Sequence, residues 1–207
     1  MRGRTLRLVV AAAAVAIGAA GAAAPAAQAG PLVAAAGNCP ANVLEQPFTR
    51  WLDPLSYTLV PDGTLERSAA GWSLSRAKVV SGNETFYVHG AKESKSLSLP
   101  AGSTATTPVM CAGIDKPVLR FFAKSSSPLL SSLAVDVLFE SSSGQVLSAP
   151  VGVVLPSSTW QPTLPLPVAA SLLPLLPASQ TPVAFRFRPV GTATWTIDDV
   201  YLDPRHK

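Results

Sequence analysis

The sequence has few of the residues that build metal clusters, thiol chemistry or helical bundles. Among 207 residues there are only two cysteines and two histidines, too few for a cysteine- or histidine-based zinc centre. No long window places apolar residues at the 3.6-residue spacing of an amphipathic helix, which excludes an all-helical fold. The one helical candidate, residues 168–176, contains Pro174, so at most a turn or two of helix is expected there.

Motifs for catalysis are also lacking. The segment Gly71-Trp72-Ser73-Leu74-Ser75 lacks the closing glycine of a nucleophile elbow. His89 is the only histidine inside the expected fold, since His206 belongs to the C-terminal tail. A carboxylate pair could in principle be drawn from Glu84, Glu93, Asp136 and Glu140. Carboxylates near turns and on sheet faces are usually only solvated, so we expect a protein that is not an enzyme.

The N-terminus has the three parts of a secretory signal peptide. Basic residues at positions 2, 4 and 7 precede an apolar run from Leu8 to about Gly21. Ala27-Gln28-Ala29 then supplies the small residues that a signal peptidase reads, with Gly30 following. We expect residues 1–29 to be removed and the mature protein to be secreted. An uncleaved anchor is the alternative, but the run is short and no basic flank follows it.

Removal of the signal changes the charge balance. Three of the 16 Lys and Arg residues lie in it and none of the 12 Asp and Glu residues, which leaves 13 basic against 12 acidic residues. A net charge of +1 gives no reason to expect nucleic acid or an anionic membrane as partner. We expect no membrane span in the mature chain, and a monomer. About 178 residues suits one domain with a substantial core.

Cys39 and Cys111 are the only cysteines. An even count in an oxidising compartment predicts one disulfide, which would fasten an irregular N-terminal arm, residues 30–55, to the rest of the fold. Two free thiols remain the alternative.

Alternating apolar and polar residues are the main secondary-structure signal. Windows 118–124, 133–140 and 183–188 each place apolar side chains at every second position, as a strand with one buried face requires. Short strands separated by Gly and Pro predict an all-β, antiparallel β-sandwich over residues 56–204.

Two adjacent carboxylates interrupt the last predicted strand, which reads Ile197-Asp198-Asp199-Val200. Asp is depleted from strands and costly to bury without a partner. Either both side chains lie at an exposed strand end, or something neutralises at least one of them. Asp198 is in phase with Val200 and Leu202, so alternation predicts that Asp198 points inward and Asp199 to the opposite side.

Two short motifs carry a family resemblance. The segment from Pro61 to Glu66, followed by Gly71-Trp72, and the strand Ile197–Val200 together resemble the ends of bacterial carbohydrate-binding modules with a galactose-binding-like jelly roll. Leu65 departs from that pattern, which has an aromatic residue there. The resemblance implies a jelly roll from about residue 59 to 204 and an exported, non-catalytic module that binds carbohydrate or cell-wall glycan.

The resemblance also implies a structural Ca²⁺ between the two motifs. Glu66 and Asp198 would be its ligands, because Ca²⁺ binds carboxylate oxygens from distant segments. Asp62 is a weaker candidate, since a turn Asp often only caps its own backbone. The alternative is that Glu66 pairs with a Lys or Arg and no metal binds.

Candidate ligand contacts are the aromatic and basic side chains expected near exposed strand faces. They are Tyr87, His89, Arg120, Trp160 and Arg186. The strand faces that carry the basic residues also carry acidic ones, so cross-strand charge pairs on a solvated sheet are one interpretation. A polar or acidic ligand held by arginines is the other. A structural or protein-interaction sandwich at the cell surface, with no sugar site, is the alternative function.

Overall fold

The computed structural model describes residues 30–37, 42–113, 117–127, 129–168 and 180–203. Two short helical elements precede the strands: α1 (Pro31–Ala36) and a 3₁₀ turn (Thr49–Trp51). The strands are β1 (Thr58–Leu59), β2 (Ser73–Ser75), β3 (Lys78–Ser81), β4 (Lys95–Leu99), β5 (Thr104–Thr106), β6 (Met110–Gly113), β7 (Val118–Ser125), β8 (Ser131–Glu140), β9 (Val146–Val154), β10 (Gln161–Pro162), β11 (Leu166–Pro167), β12 (Gln180–Gly191) and β13 (Trp195–Asp203).

The strands form two antiparallel sheets. The seven-stranded sheet has the order β10-β7-β13-β4-β3, with β1 also paired to β13 and β11 to β7. The six-stranded sheet has the order β2-β5-β12-β8-β9, with β6 also paired to β12. This confirms the predicted all-β jelly-roll sandwich. No helix in the described ranges is long and apolar enough to cross a membrane.

Alternation places one side of each long strand between the sheets. Phe121 of β7 faces Phe187 of β12, with ring centroids 5.1 Å apart in an edge-to-face contact. Val135 and Val137 of β8 and Phe185 of β12 are buried in the same sandwich core. Burial of such side chains contributes about 1.5–3 kcal/mol each, so this layer is the main source of stability.

The opposite side of β7 is buried as well, which corrects the expectation of one buried face. Phe122 is buried against Phe48 of the N-terminal arm, whose ring stacks at 5.6 Å. We call this layer the second core; its buried members are Phe48, Tyr57, Phe122, Trp160 and Tyr201. The arm therefore supplies a buried layer on the outer face of the seven-stranded sheet.

A buried ion pair holds the arm in place. The Arg120 guanidinium on β7 lies 2.5 Å from Asp53 Oδ2 and donates to the Thr163 carbonyl oxygen at 2.8 and 3.0 Å. Burial alone would raise the pKa of Asp53, but the Tyr57 hydroxyl, the Leu55 N–H and Arg120 outweigh it and hold that pKa below its usual value. The pair satisfies both charges within the second core, where an unpaired charge would be costly.

A bulge in β13 changes which side chains face the sandwich core. The pairing of β13 with β7 shifts register between Asp198 and Tyr201, and Asp199 has a left-handed φ of 46°. As a result both Ile197 and Val200 reach the core, while Tyr201 turns to the second core. Asp198 is therefore out of phase with Val200, and the prediction that it points into the sandwich is wrong.

The two motifs that carry the family resemblance, near Gly63 and Val200, meet at this bulge. Val60 N–H donates to the Val200 carbonyl oxygen at 2.9 Å, and Val200 N–H donates to the Gly63 carbonyl oxygen at 3.2 Å. A Cβ at Gly63 would come 2.7 Å from the Val200 oxygen. Glycine is required there because the turn and the last strand approach so closely.

Three expectations fall on residues outside the described ranges. They are the signal peptide 1–29, the helical turn within 168–176 beyond Val168, and Cys39. Cys111 lies buried in β6, but because Cys39 is outside the described ranges, the Cys39–Cys111 pairing stays a prediction.

Replacing Phe48 by Ala tests the second core. Because Phe48 is fully buried between Phe122, Tyr57 and Tyr201, we expect Phe48→Ala to lower the free energy of unfolding by about 3–5 kcal/mol in urea denaturation. Leu52→Ala is the matched control on the same arm, since Leu52 is 94% exposed, and it should change stability by less than about 0.5 kcal/mol. Equal effects of the two substitutions would contradict a buried arm.

Candidate functional site

A row of polar side chains crosses the outer face of the six-stranded sheet. Strand register aligns one residue from each of five neighbouring strands: the polar residues Ser73, Thr106, Arg186 and Asp136, and the apolar Pro150 at the β9 end. We call this set the polar row. Neighbouring strands lie about 4.8 Å apart, so the row is about 19 Å long. It points outward because Phe185 and Phe187, on either side of Arg186, point into the sandwich core.

One carboxylate holds two guanidinium groups at the centre of the row. Asp136 Oδ2 accepts from Arg186 at 3.2 Å and from Arg188 at 2.9 Å. Burial would raise the pKa of Asp136, but the hydrogen bonds and charges of Arg188 and Arg186 hold it below its usual value. These contacts agree with the cross-strand charge pairs predicted from the sequence.

The three charges do not cancel, and the arginines remain accessible. The side chains of Arg186 and Arg188 are 33% and 43% exposed, whereas that of Asp136 is 10% exposed. The set therefore presents one net positive charge and guanidinium N–H groups to solvent, in positions fixed by the shared carboxylate. Such an arrangement suits a ligand that carries hydroxyl or carboxylate oxygens.

Two of the expected ligand contacts lie in the loop between β3 and β4. Tyr87 is exposed and has a left-handed φ of 52°. His89 Nδ1 lies 3.3 Å from the Tyr201 hydroxyl and 3.6 Å from Glu45 Oε1, beside a cleft of about 380 Å³. This loop belongs to the seven-stranded side of the sandwich, so it does not share a surface with Arg186.

Arg120 and Trp160 are buried in the second core and do not line an open face. Arg120 is paired with Asp53, and Lys124 Nζ lies 4.7 Å from the centre of the Trp160 ring. This corrects their expected role as ligand contacts: the arm that covers β7 could not be inferred from the alternation of that strand.

The paired carboxylates of β13 lie beneath the β3–β4 loop. Asp198 Oδ2 accepts from Glu84 N–H at 2.9 Å, and its Oδ1 accepts from Asp199 N–H at 2.9 Å. Both side chains are completely buried. This excludes the interpretation that the two carboxylates lie at an exposed strand end. Burial and the neighbouring Asp199 charge raise the pKa of Asp198 to about 9.

Asp199, the second carboxylate of the pair, is buried without a hydrogen bond from the described residues to either oxygen of its side chain. Glu93 Oε2 and Asn83 Oδ1, both on the β3–β4 loop, are also buried without a hydrogen bond. Burial, together with the charges of Glu93, Glu84, Glu45 and Glu66, raises the pKa of Asp199 to about 8. Several negative groups thus act on one buried carboxylate.

Glu66 and Asp62 have their oxygens engaged by backbone groups. Glu66 Oε1 accepts from Ser94 N–H at 2.6 Å and Lys95 N–H at 2.8 Å. The two oxygens of Asp62 accept from Arg67 N–H and Ala70 N–H. Asp62 therefore caps its own turn, the alternative that the sequence left open, and this corrects its place among the expected metal ligands.

The oxygen atoms without hydrogen bonds are of the type that binds a hard cation. Asp199, rather than Asp198, would be the main ligand, because both oxygens of Asp198 already accept hydrogen bonds. The unpartnered atoms are carboxylate and amide oxygens, which are the ligands of Ca²⁺. No three Asp, Glu, His or Cys side chains of the described residues are already gathered in a metal-binding arrangement. A cation here would have to draw Glu93 or backbone oxygens toward Asp199.

Comparisons with known proteins were made by sequence and by structure. No protein-family model matches the chain, and no curated protein matches it. The CBM22-1 and GH10 modules of Clostridium thermocellum endo-1,4-β-D-xylanase 10B, complexed with xylohexaose, align at a TM-score of 0.49 and 13% identity. That alignment covers 72% of this chain and 28% of that one, so this chain spans less than a third of its neighbour's length.

Two single modules align over most of their own length. The C-terminal family 22 carbohydrate-binding module of Clostridium thermocellum Xyn10B gives a TM-score of 0.44 at 15% identity, covering 68% of this chain and 89% of that one. TmCBM61, in complex with β-1,4-galactotriose, gives 0.38 at 15% identity, covering 70% and 96%. The neighbours are mainly carbohydrate-binding modules, the class that the sequence motifs resemble.

Replacing Asp136 by Asn tests the charge arrangement in the polar row. A carboxyl whose pKa is lowered on folding stabilises the folded state above its unfolded pKa, and this contribution is lost as pH falls through the folded pKa. The stability difference between wild type and Asp136→Asn should therefore be constant above about pH 5 and shrink below about pH 4. Urea denaturation at pH 7, 5 and 3 measures it. A difference that is the same at all three pH values would contradict the ion pairs.

Proposed function

We propose that the protein is an exported, non-catalytic module that binds glycan on the outer face of its six-stranded sheet. The observation that carries the proposal is the pair of partly exposed guanidinium groups held by Asp136, next to the hydroxyl-bearing Ser73 and Thr106 of the same row. The outer face of the other sheet is occupied by the arm and the second core. On the six-stranded sheet α1 packs near Glu140 at the end of β8, but the side chains of Arg186 and Arg188 stay 33% and 43% exposed and can meet a ligand.

The ligand class follows from the charge and from the side chains in the row. An aromatic ring that would stack on a neutral sugar is not among the five residues of the row. The net positive charge and the planar donors of Arg186 and Arg188 match a carboxylate better than a neutral hydroxyl. We therefore propose a glycan that carries carboxylate groups, such as a polyuronate or an acidic cell-wall polymer.

A protein-interaction role is the second candidate, and a different surface favours it. β9 is an edge strand of the six-stranded sheet. Val153 on it, and Leu155 and Leu164 beside it, are more than half exposed. Val153, Leu155 and Leu164 also border a largely apolar groove of about 320 Å³. Exposed apolar edge strands can pair with a partner's strand.

Binding of an acidic and a neutral oligosaccharide distinguishes the two candidates. Titration calorimetry of residues 30–207 with trigalacturonate and with xylohexaose should show stronger binding of the acidic sugar. Arg186→Gln should weaken that binding at least about tenfold, because a charge-assisted contact contributes about 1.5–3 kcal/mol. Lys92→Gln, an exposed residue of the β3–β4 loop, is the control and should leave binding unchanged. Equal binding by wild type and Arg186→Gln would refute the site.

We also propose that the acidic cluster binds a structural Ca²⁺ through Asp199 and Glu93. The support is the set of buried oxygens without hydrogen bonds and the accumulation of negative charge at Asp199. A bound dication would allow these carboxylates to stay ionised. It would join the last strand to the β3–β4 loop.

Chelation and substitution test the cation. A ligand bound only to the folded state adds about 2.7 kcal/mol at a hundredfold excess over Kd, so EDTA should lower the melting temperature by about 5–10 °C. Asp199→Asn should abolish the response to Ca²⁺. Arg67→Gln at an exposed site on the Asp62 turn is the control and should retain it. A melting curve indifferent to both EDTA and Ca²⁺ would exclude the cation.

Export to an oxidising compartment would allow a disulfide to form. We propose that Cys39 and Cys111 pair in the secreted protein and fasten the start of the arm to β6. On the chain-entropy model a loop of this length adds about 4 kcal/mol. Intact mass after alkylation without reduction should show no modified thiol, whereas two alkylated cysteines would contradict the bond.

A further inference from the structure

Glu140, at the end of β8, is a buried carboxylate that has no ion pair with a basic side chain of the described residues. It is only 6% exposed. Its Oε1 accepts from the N–H groups of Leu32 and Val33 at the start of α1, the latter at 3.1 Å. A buried carboxylate usually requires a compensating cation as well as hydrogen bonds.

Gly30 packs directly against this carboxylate. A Cβ at Gly30 would lie 2.7 Å from both Cδ and Oε2 of Glu140, and 2.5 Å from the Gly144 carbonyl oxygen. These distances leave no room for any residue other than glycine. The backbone nitrogen of a residue lies about 2.5 Å from its Cβ position, so the Gly30 nitrogen lies within about 5 Å of Glu140 Oε2.

We propose that removal of the signal peptide creates the missing cation. Cleavage after Ala29, on which this proposal rests, turns the Gly30 amide nitrogen into an α-ammonium group. That group pairs with Glu140 Oε2 and can donate to the Gly144 carbonyl oxygen. The ion pair fastens α1 to the outer face of the six-stranded sheet only in the processed chain, so processing itself completes the fold at this end.

Three properties of the site support the assignment independently of the cleavage motif. Glu140 lies on the outward side of β8, because Val137 and Phe139 on the same strand point into the core. Its other oxygen already orients the first turn of α1. Glycine is also the one residue that fits between Glu140 and Gly144.

Chemical blocking of the N-terminus tests the pair without altering any side chain. A synthetic segment 30–38 can be ligated to Cys39 of expressed residues 39–207, giving chains that begin with free Gly30 or with Nα-acetyl-Gly30. We expect acetylation to lower the melting temperature by about 3–6 °C. In Glu140→Gln, which retains an oxygen acceptor for α1, the free and acetylated chains should melt at the same temperature.

A third chain separates the ion pair from a general effect of charge. An expressed chain that begins at Ala29 keeps an α-ammonium group but moves it one residue away from Glu140. Its melting temperature should equal that of the acetylated protein. Equal melting of free and acetylated wild type would overturn the proposal. So would an acetylation effect that persists in Glu140→Gln. Glycan binding at Arg186 does not enter these measurements, so either proposal can fail alone.

Discussion

Burial of the seven-stranded sheet on both sides is the constraint on which the rest of the structure depends. β7 carries Phe121 into the sandwich core and Phe122 into the second core. The arm can cover that second side because Arg120 finds Asp53 and the Thr163 carbonyl oxygen there, which satisfies a charge that would otherwise oppose burial. Phe48, Trp51 and Leu55 thus cover the outer face of the seven-stranded sheet, whereas Arg186 and Arg188 on the six-stranded sheet stay partly exposed.

The bulge in β13 is the second constraint, and it explains the unusual carboxylate pair. Without it, alternation would send Val200 or Ile197 away from the core. With it, both stay inside, and Asp198 and Asp199 are placed under the β3–β4 loop. Asp tolerates the left-handed conformation that the bulge needs, so the sequence at this point serves backbone geometry as well as charge. Asp198 is then satisfied by backbone N–H groups, whereas Asp199 is not.

Alternation predicted the strands that form the two sheets because each long strand has one consistently apolar side. It could not predict the second core, since the other side of β7 mixes Arg120 and Lys124 with Phe122. Nor could it locate the bulge, where a single inserted residue reverses the phase, so that Asp198 is no longer in phase with Val200. Arg186 was predicted as a site residue. The contacts of Arg186 and Arg188 with Asp136 could be identified only once the strand register was known. Asp136 and Phe139 lie on opposite sides of β8 in the alternation, and this was the one sequence signal that Asp136 faces outward.

The central claim is that ligand binds to the polar row and not to the β3–β4 loop. Chemical-shift mapping of ¹⁵N-labelled residues 30–207 with trigalacturonate tests it most directly, because each amide reports its own surroundings. The account predicts that the largest shifts occur on β2, β5, β8 and β12 around Arg186. Shifts confined to the loop around Tyr87 and His89, or to the arm around Phe48, would contradict it.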